Sequence, residues 1–129
     1  MLNKRGSITH TILSTGNPDF FFVLNGDVCA DFPLNEMLEF HQVYGAGGDQ
    51  KAVLTLMATE ATRQQSLIYG CIVENKDKHT LEHYVEKPST YISTLVNCGV
   101  YIFSPEVFSQ VANVFNKKQL DFYKYNIYV

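Results

Sequence analysis

Positive charge is in short supply. Ten Lys and Arg stand against thirteen Asp and Glu, the net charge is -3, and the basic residues form no block. That argues against a nucleic-acid partner, so an anionic ligand has to be met by a local cation. No apolar stretch approaches the ~20 residues of a membrane span. The basic start, Met1-Leu2-Asn3-Lys4-Arg5-Gly6-Ser7, leads into no apolar signal segment. Cysteine is scarce too. Cys29, Cys71 and Cys98 are odd in number and widely spaced, with no CxxC pair. This removes zinc spacing, and nothing arranges a base beside a thiol nucleophile. Their apolar neighbours predict reduced, mostly buried thiols in a cytoplasmic protein. His10, His41, His79 and His83 lack metal-ligand spacing. His41 reads as a helix-face packing residue and His79 as a solvated turn residue. A glycine-rich phosphate loop occurs nowhere in the 129 residues.

Apolar residues make up 46% of the chain, enough for one domain with a core of its own. Phe20-Phe21-Phe22-Val23-Leu24-Asn25-Gly26-Asp27 is an apolar run ending in a single acid. Such a run predicts a strand buried on both faces, as in a parallel sheet. In open α/β sheets, ligands sit beyond the carboxyl ends of such strands, where Asp27 would stand as a candidate metal ligand. Ile8 to Leu13 reads as the last turns of a helix, and Gly16-Asn17-Pro18-Asp19 as the turn into the strand. Asp31 can cap a helix whose first turn tolerates Pro33. Leu34, Met37, Leu38 and His41 share one helical face, and Gly45, Gly47 and Gly48 stop it. Lys51 to Ala58 reads as a second buried strand. A β-α-β order makes the two strands parallel, with a right-handed crossover.

Thr59 to Leu67 is a polar loop. Tyr69 to Glu74 and Leu81 to Glu86 predict a hairpin across a polar, turn-rich linker. Leu95 to Phe103 is a further strand, where Gly99 marks a bulge or a close ligand approach. Ser104-Pro105-Glu106 opens a helix with Val107, Phe108, Val111 and Phe115 on its apolar face. Asp121 to Val129 has strong β-propensity and neither Gly nor Pro, an aggregation hazard when exposed.

The chemistry concentrates in a few residues. Lys87 is a compact point charge suited to phosphate. Glu86 can accept from sugar hydroxyls, and Pro88 keeps Lys87 extended, so the two side chains project apart. Asn97 offers both a donor and an acceptor to a hydroxyl. Gly70 is either a plain strand glycine or a backbone donor to a ligand. Each has a plainer alternative: Asp27 as a loop acid, Glu86 and Lys87 as a solvated pair, Asn97 and Gly99 as a turn edge and a bulge.

The order of these pieces carries more than any one of them. Asn25-Gly26-Asp27-Val28-Cys29-Ala30-Asp31-Phe32-Pro33, then Tyr69-Gly70-Cys71-Ile72-Val73-Glu74, then Val85-Glu86-Lys87-Pro88, then Asn97-Cys98-Gly99-Val100-Tyr101 resembles the sugar-phosphate nucleotidyltransferases. Within that family the stretches look like the alpha-type subunits of guanylyltransferases acting on mannose 1-phosphate. The resemblance covers residues 8–117 and leaves 118–129 as an unassigned tail. It implies a partial Rossmann-like three-layer α/β/α nucleotidyltransferase domain, lacking its first strand and glycine-rich loop. It also implies a reaction, mannose 1-phosphate and GTP giving GDP-mannose and pyrophosphate, in which the sugar phosphate itself attacks phosphorus. By the same resemblance Asp27 binds Mg²⁺, Lys87 meets the sugar phosphate, Glu86 and Asn97 contact the sugar, and the Gly70 backbone faces it. The family's phosphate loop, guanine-reading loop, second metal-binding Asp and C-terminal β-helix have no counterpart in these residues. The expectation is therefore a chain inactive by itself. The alternative is a regulatory alpha-type subunit that binds GDP-mannose and a catalytic beta-type partner. Either way, assembly with itself or with guanylyltransferase subunits is expected, and no nucleic acid or membrane partner is.

Overall fold

The computed structural model describes residues 16, 18–45, 52–117 and 127–128. The helix end expected at Ile8 to Leu13, the glycines Gly47 and Gly48, and residues 118–126 of the tail lie outside them.

The strand β5 (Leu95–Phe103) runs through the middle of a sheet, with β1 (Phe21–Leu24) on one side and β2 (Leu54–Glu60) on the other. Its sequence, LVNCGVYIF, is rich in the β-branched and aromatic residues that suit a pleated surface. Phe21 lies opposite Phe103 and Leu24 opposite Val100, while Leu54 also lies opposite Phe103 from the other side. Both flanking strands are antiparallel to β5, so they run parallel to each other, as a β-α-β order requires. They are not neighbours, because β5 fills the place between them. Among the described residues β5 is the only strand beside β1, whose residues are half-buried, with Leu24 44% exposed. The phenylalanine run is thus less enclosed than its hydrophobicity suggested.

A hairpin follows β2. β3 (Gly70–Asn75) and β4 (Thr80–Glu86) pair antiparallel, and the Asn75 side-chain oxygen accepts from the Asp77 and Lys78 amides to fold the turn. Cys71 of β3 pairs with Val96 of β5. β6 (Ile127–Tyr128) lies parallel to β2 and antiparallel to β4.

Alternation along β5 sends successive side chains to opposite faces. Val100 and Ile102, both fully buried, join Met37 of α1 (Leu34–Phe40) in one core. Phe22, Leu34, Leu38 and Met57 pack around them. Each such buried aliphatic side chain contributes about 1.5–3 kcal/mol. On the other face Leu56 and Ile72 form a second core with Leu81, Tyr84 and Tyr101. Phe21 stacks on Phe103 on that side, and Phe108 of α2 (Glu106–Lys117) stacks on Phe21. A helix therefore packs on each face of the β1–β5 pair, the layering of an α/β domain. Among the described residues no helix is long and apolar enough to cross a membrane.

Several local expectations need correction. Asp31 does not cap α1: Pro33 takes the N-cap place, with no side-chain cap. The Leu34 amide at the helix start donates instead to the Phe32 carbonyl at 2.8 Å. The helix does run on to Gly45, but through a π turn over His41–Gly45. The second strand starts at Leu54 and reaches Glu60, because Ala58, Thr59 and Glu60 stay paired with Asn97, Val96 and Leu95 of β5. Residues 59–67 are not all loop. Thr62 and Gln65 exchange hydrogen bonds in a reciprocal cap for the short 3₁₀ turn Gln65–Leu67. The Ser104 hydroxyl donates to the Ala52 carbonyl and ties the segment before α2 to the segment leading into β2. Val111 remains 37% exposed, and the side chain of Phe115 lies outside the described set.

His41 is on the packed helical face, as its spacing indicated. It is 6% exposed, shares a 2.8 Å hydrogen bond with the Thr55 hydroxyl and meets the Phe20 ring edge-on. Burial pushes its pKa below the ordinary 6.5. The unfolded chain then takes up this proton more readily than the folded one. The stability linked to His41 is complete above about pH 6.5 and is lost as pH falls through the lower folded value. Urea unfolding between pH 7.5 and 5 should show falling stability, with a shallower fall in His41→Gln. Equal slopes in the two proteins would sink the assignment.

Candidate functional site

The site is built where β5 bends. On β2, Leu56 lies opposite Tyr101 and Ala58 opposite Asn97, so Met57 faces three residues of β5: Cys98, Gly99 and Val100. This is a bulge, a device that re-aims side chains near binding sites. Gly99 has φ +74°, and its amide donates to Asn97 Oδ1 at 2.9 Å. A Cβ at Gly99 would come within 2.5 Å of Asn25 Nδ2, so a larger residue fits neither the conformation nor the space. Asn25 is held there because its own amide donates to the Gly99 carbonyl at 2.8 Å, one step past the end of β1. A turn at Gly26 and Asp27 then carries the Asp27 carboxylate to the rim, exposed.

Asn97 is committed at both ends of its amide. Its Nδ2 donates to the Tyr101 hydroxyl at 2.8 Å and to the Tyr84 hydroxyl at 3.4 Å, while Oδ1 accepts from Gly99. The Tyr84 hydroxyl donates to Glu86 Oε2 at 2.5 Å. Burial, and then the bond and charge of Glu86, push the Tyr84 pKa up to about 12, against a smaller lowering by Asn97. This phenol stays a donor throughout the physiological range. Gly70 is buried below this pair, directly opposite Glu86 on β3.

Lys87 differs from expectation. Its φ is +45°, left-handed rather than extended. The pre-proline preference is overridden by two anchors: the Lys87 amide donates to the Tyr69 carbonyl at 3.2 Å, and Pro88 is buried. Left-handed backbone costs a residue with a Cβ about 1–2 kcal/mol.

All five residues singled out from the sequence, Asp27, Gly70, Glu86, Lys87 and Asn97, line one open cavity of about 820 Å³. Tyr84 and Tyr101 line it too, and neither had been singled out. Their signal was present, since 84 and 86 on one strand, and 97 and 101 on the other, share a face by period-2 alternation. Among the described residues no group of three or more His, Cys, Asp or Glu could hold a metal ion. Asp27 therefore suits only an ion that brings further oxygen ligands, as Mg²⁺ does with phosphate and water.

The cysteines are less enclosed than expected. Cys71 is buried, with its thiol near the Ser66 carbonyl at 3.0 Å, but Cys29 is exposed. Cys98 is half-buried, and burial pushes its thiol pKa up. Apolar sequence neighbours do not bury Cys29, because the segment after Asp27 runs along the cavity rim. His79 is not simply solvated. It pairs with Glu74 at 3.2 Å and meets the rings of Tyr44 and Phe40 edge-on.

The family model described as nucleotidyl transferase matches residues 6–126. The mannose-1-phosphate guanylyltransferase regulatory subunit alpha of Drosophila melanogaster is 53% identical over 106 residues, which are 82% of this chain and 23% of that protein. The Homo sapiens protein of the same name is also 53% identical over 106 residues, 82% of this chain and 24% of that one. Mannose-1-phosphate guanyltransferase alpha-B of Xenopus laevis is 50% identical over 123 residues, 93% of this chain and 28% of that protein. The chain thus spans about a quarter of the length of these curated relatives.

The left-handed Lys87 is open to a direct check. Lys87→Gly should be more stable than Lys87→Ala by about 1 kcal/mol in chemical denaturation, since only glycine relieves the backbone. Identical stabilities would mean that the positive φ is not kept in solution.

Proposed function

The chain belongs to the nucleotidyl transferase family, and on that premise we propose that its cavity binds the sugar-phosphate half of a mannosyl nucleotide, as mannose 1-phosphate or as GDP-mannose. The observation that carries this reading is the convergence of Asp27, Gly70, Glu86, Lys87 and Asn97 on one cavity. The relatives named for mannose 1-phosphate support the choice of sugar. Lys87 supplies the point charge for phosphate, which a chain of net charge -3 cannot supply diffusely. Glu86 accepts from a sugar hydroxyl. Asn97, with its amide engaged, acts by holding the Tyr84 and Tyr101 hydroxyls in place. Asp27 would hold Mg²⁺ jointly with phosphate oxygens and water, and the ion's contribution is to neutralise phosphate charge.

Within this reading we favour a regulatory role, sensing the nucleotide sugar and docking on a catalytic guanylyltransferase subunit. The names of the relatives point that way. Turnover remains the second reading, kept by the presence of Asp27 at the cavity.

Calorimetric titration separates them. Mannose 1-phosphate and GDP-mannose should saturate the chain, and failure of both would remove the reading. Lys87→Ala should weaken mannose 1-phosphate about 10–100-fold, the range for a lost charge-assisted hydrogen bond, with GTP little affected. Equal losses for the two ligands would move Lys87 off the sugar side. With GTP, Mg²⁺ and mannose 1-phosphate together, no pyrophosphate should appear. Release at about 1 s⁻¹ or faster would make the chain an enzyme in its own right.

A further inference from the structure

Gly70 and Tyr84 explain each other. Pairing sets Tyr84 opposite Ile72, and Glu86 opposite Gly70, one step along the same face. Tyr84 leans diagonally across the space that Gly70 leaves. A Cβ on Gly70 would collide with the Tyr84 hydroxyl and come within 2.9 Å of Glu86 Oε2. From that seat the hydroxyl donates to Glu86 at 2.5 Å and accepts from Asn97 at 3.4 Å. The ring alone would satisfy the packing, since its neighbours Leu56 and Ile72 are apolar and a phenylalanine would meet them equally well. The hydroxyl needs another account. Glu86 is exposed, on a side chain with three rotatable bonds, and a glutamate so placed is disordered unless something holds it.

We propose that Tyr84 is a positioning residue: it fixes the Glu86 carboxylate in the orientation that accepts a hydroxyl of the bound sugar, and Gly70 is a glycine in order to seat it. The ligand side of this inference rests on the sugar-phosphate reading above. It also changes the part given to Gly70. The expectation was a backbone facing the sugar, whereas here the missing side chain makes room for the tyrosine that orients Glu86. The high pKa of the phenol is consistent with this, because the orienting proton stays in place at any physiological pH.

The test combines binding with side-chain order. Tyr84→Phe should bind mannose 1-phosphate about tenfold more weakly than the parent chain, the effect of one lost orienting hydrogen bond. In a Glu86→Ala background the same change should do nothing more, because Tyr84 acts through Glu86. Equal losses in both backgrounds, or no loss in either, would overturn the proposal. Side-chain coupling constants of Glu86, read by NMR without ligand, give an independent measure. Glu86 should hold one rotamer in the parent and average in Tyr84→Phe. Equal order in the two proteins overturns the proposal even where binding is not seen. A parent chain that binds no mannose 1-phosphate removes the sugar-phosphate reading instead, and leaves the Glu86 measurement to decide the role of Tyr84.

Discussion

The bulge at Gly99 is the constraint on which the rest of this structure depends. Strand β5 serves as the common partner of β1, β2 and β3, and a regular ladder would carry Asn97 and Tyr101 straight through. Placing three residues opposite Met57 lets Asn97 fold its amide back onto Gly99 and forward onto Tyr101. The same glycine makes room for Asn25, which brings the end of β1 and the Asp27 turn to the cavity. One left-handed residue thus connects both walls. Only glycine adopts that conformation without strain.

The cavity combines few charges with many shared protons. Tyr84, Glu86, Asn97 and Tyr101 form a chain of hydrogen bonds from an exposed carboxylate to a half-buried phenol. Every buried side-chain polar atom among the described residues has a partner. That is the condition under which a polar cluster gives rigidity rather than instability. Lys87 is its counterpart: a cation on strained backbone, pinned by the Tyr69 carbonyl on one side and the buried Pro88 on the other. Strain of this type persists where surrounding contacts over-determine it.

Much of this was legible in the sequence, and the misses have physical causes. Leu95 to Phe103 showed its full extent because its apolar and β-branched residues outnumber Asn97 and Gly99 between clear punctuation. The hairpin arms were placed within one residue, since turn chemistry at Asn75 is local. The parallel sense of β1 and β2 followed from their order, but the place of β5 between them did not, because pairing with a strand later in the chain is not written in local sequence. Lys87 was misread because a pre-proline preference is weaker than two tertiary anchors. The Thr62 to Gln65 cap was overlooked although Thr-x-x-Gln was visible. The five candidate residues were legible by motif, and their meeting at one cavity is geometric. Tyr84 was missed because a tyrosine beside Leu81 and Val85 in the strand TLEHYVE reads as the packed side of the hairpin, and half of it is.

The cavity has two walls of different origin. Gly70, Tyr84, Glu86 and Lys87 belong to a hairpin whose contacts are close in sequence. Asp27 and Asn97 meet only when β1 finds β5 across most of the chain. Units of this kind open and close with their own free energies. A molecule that touched Lys87 at one end and Asp27 at the other would be bound only when both were closed at once. Its binding energy would then act as a clasp between a local unit and a distant one, coupling two openings that are otherwise separate.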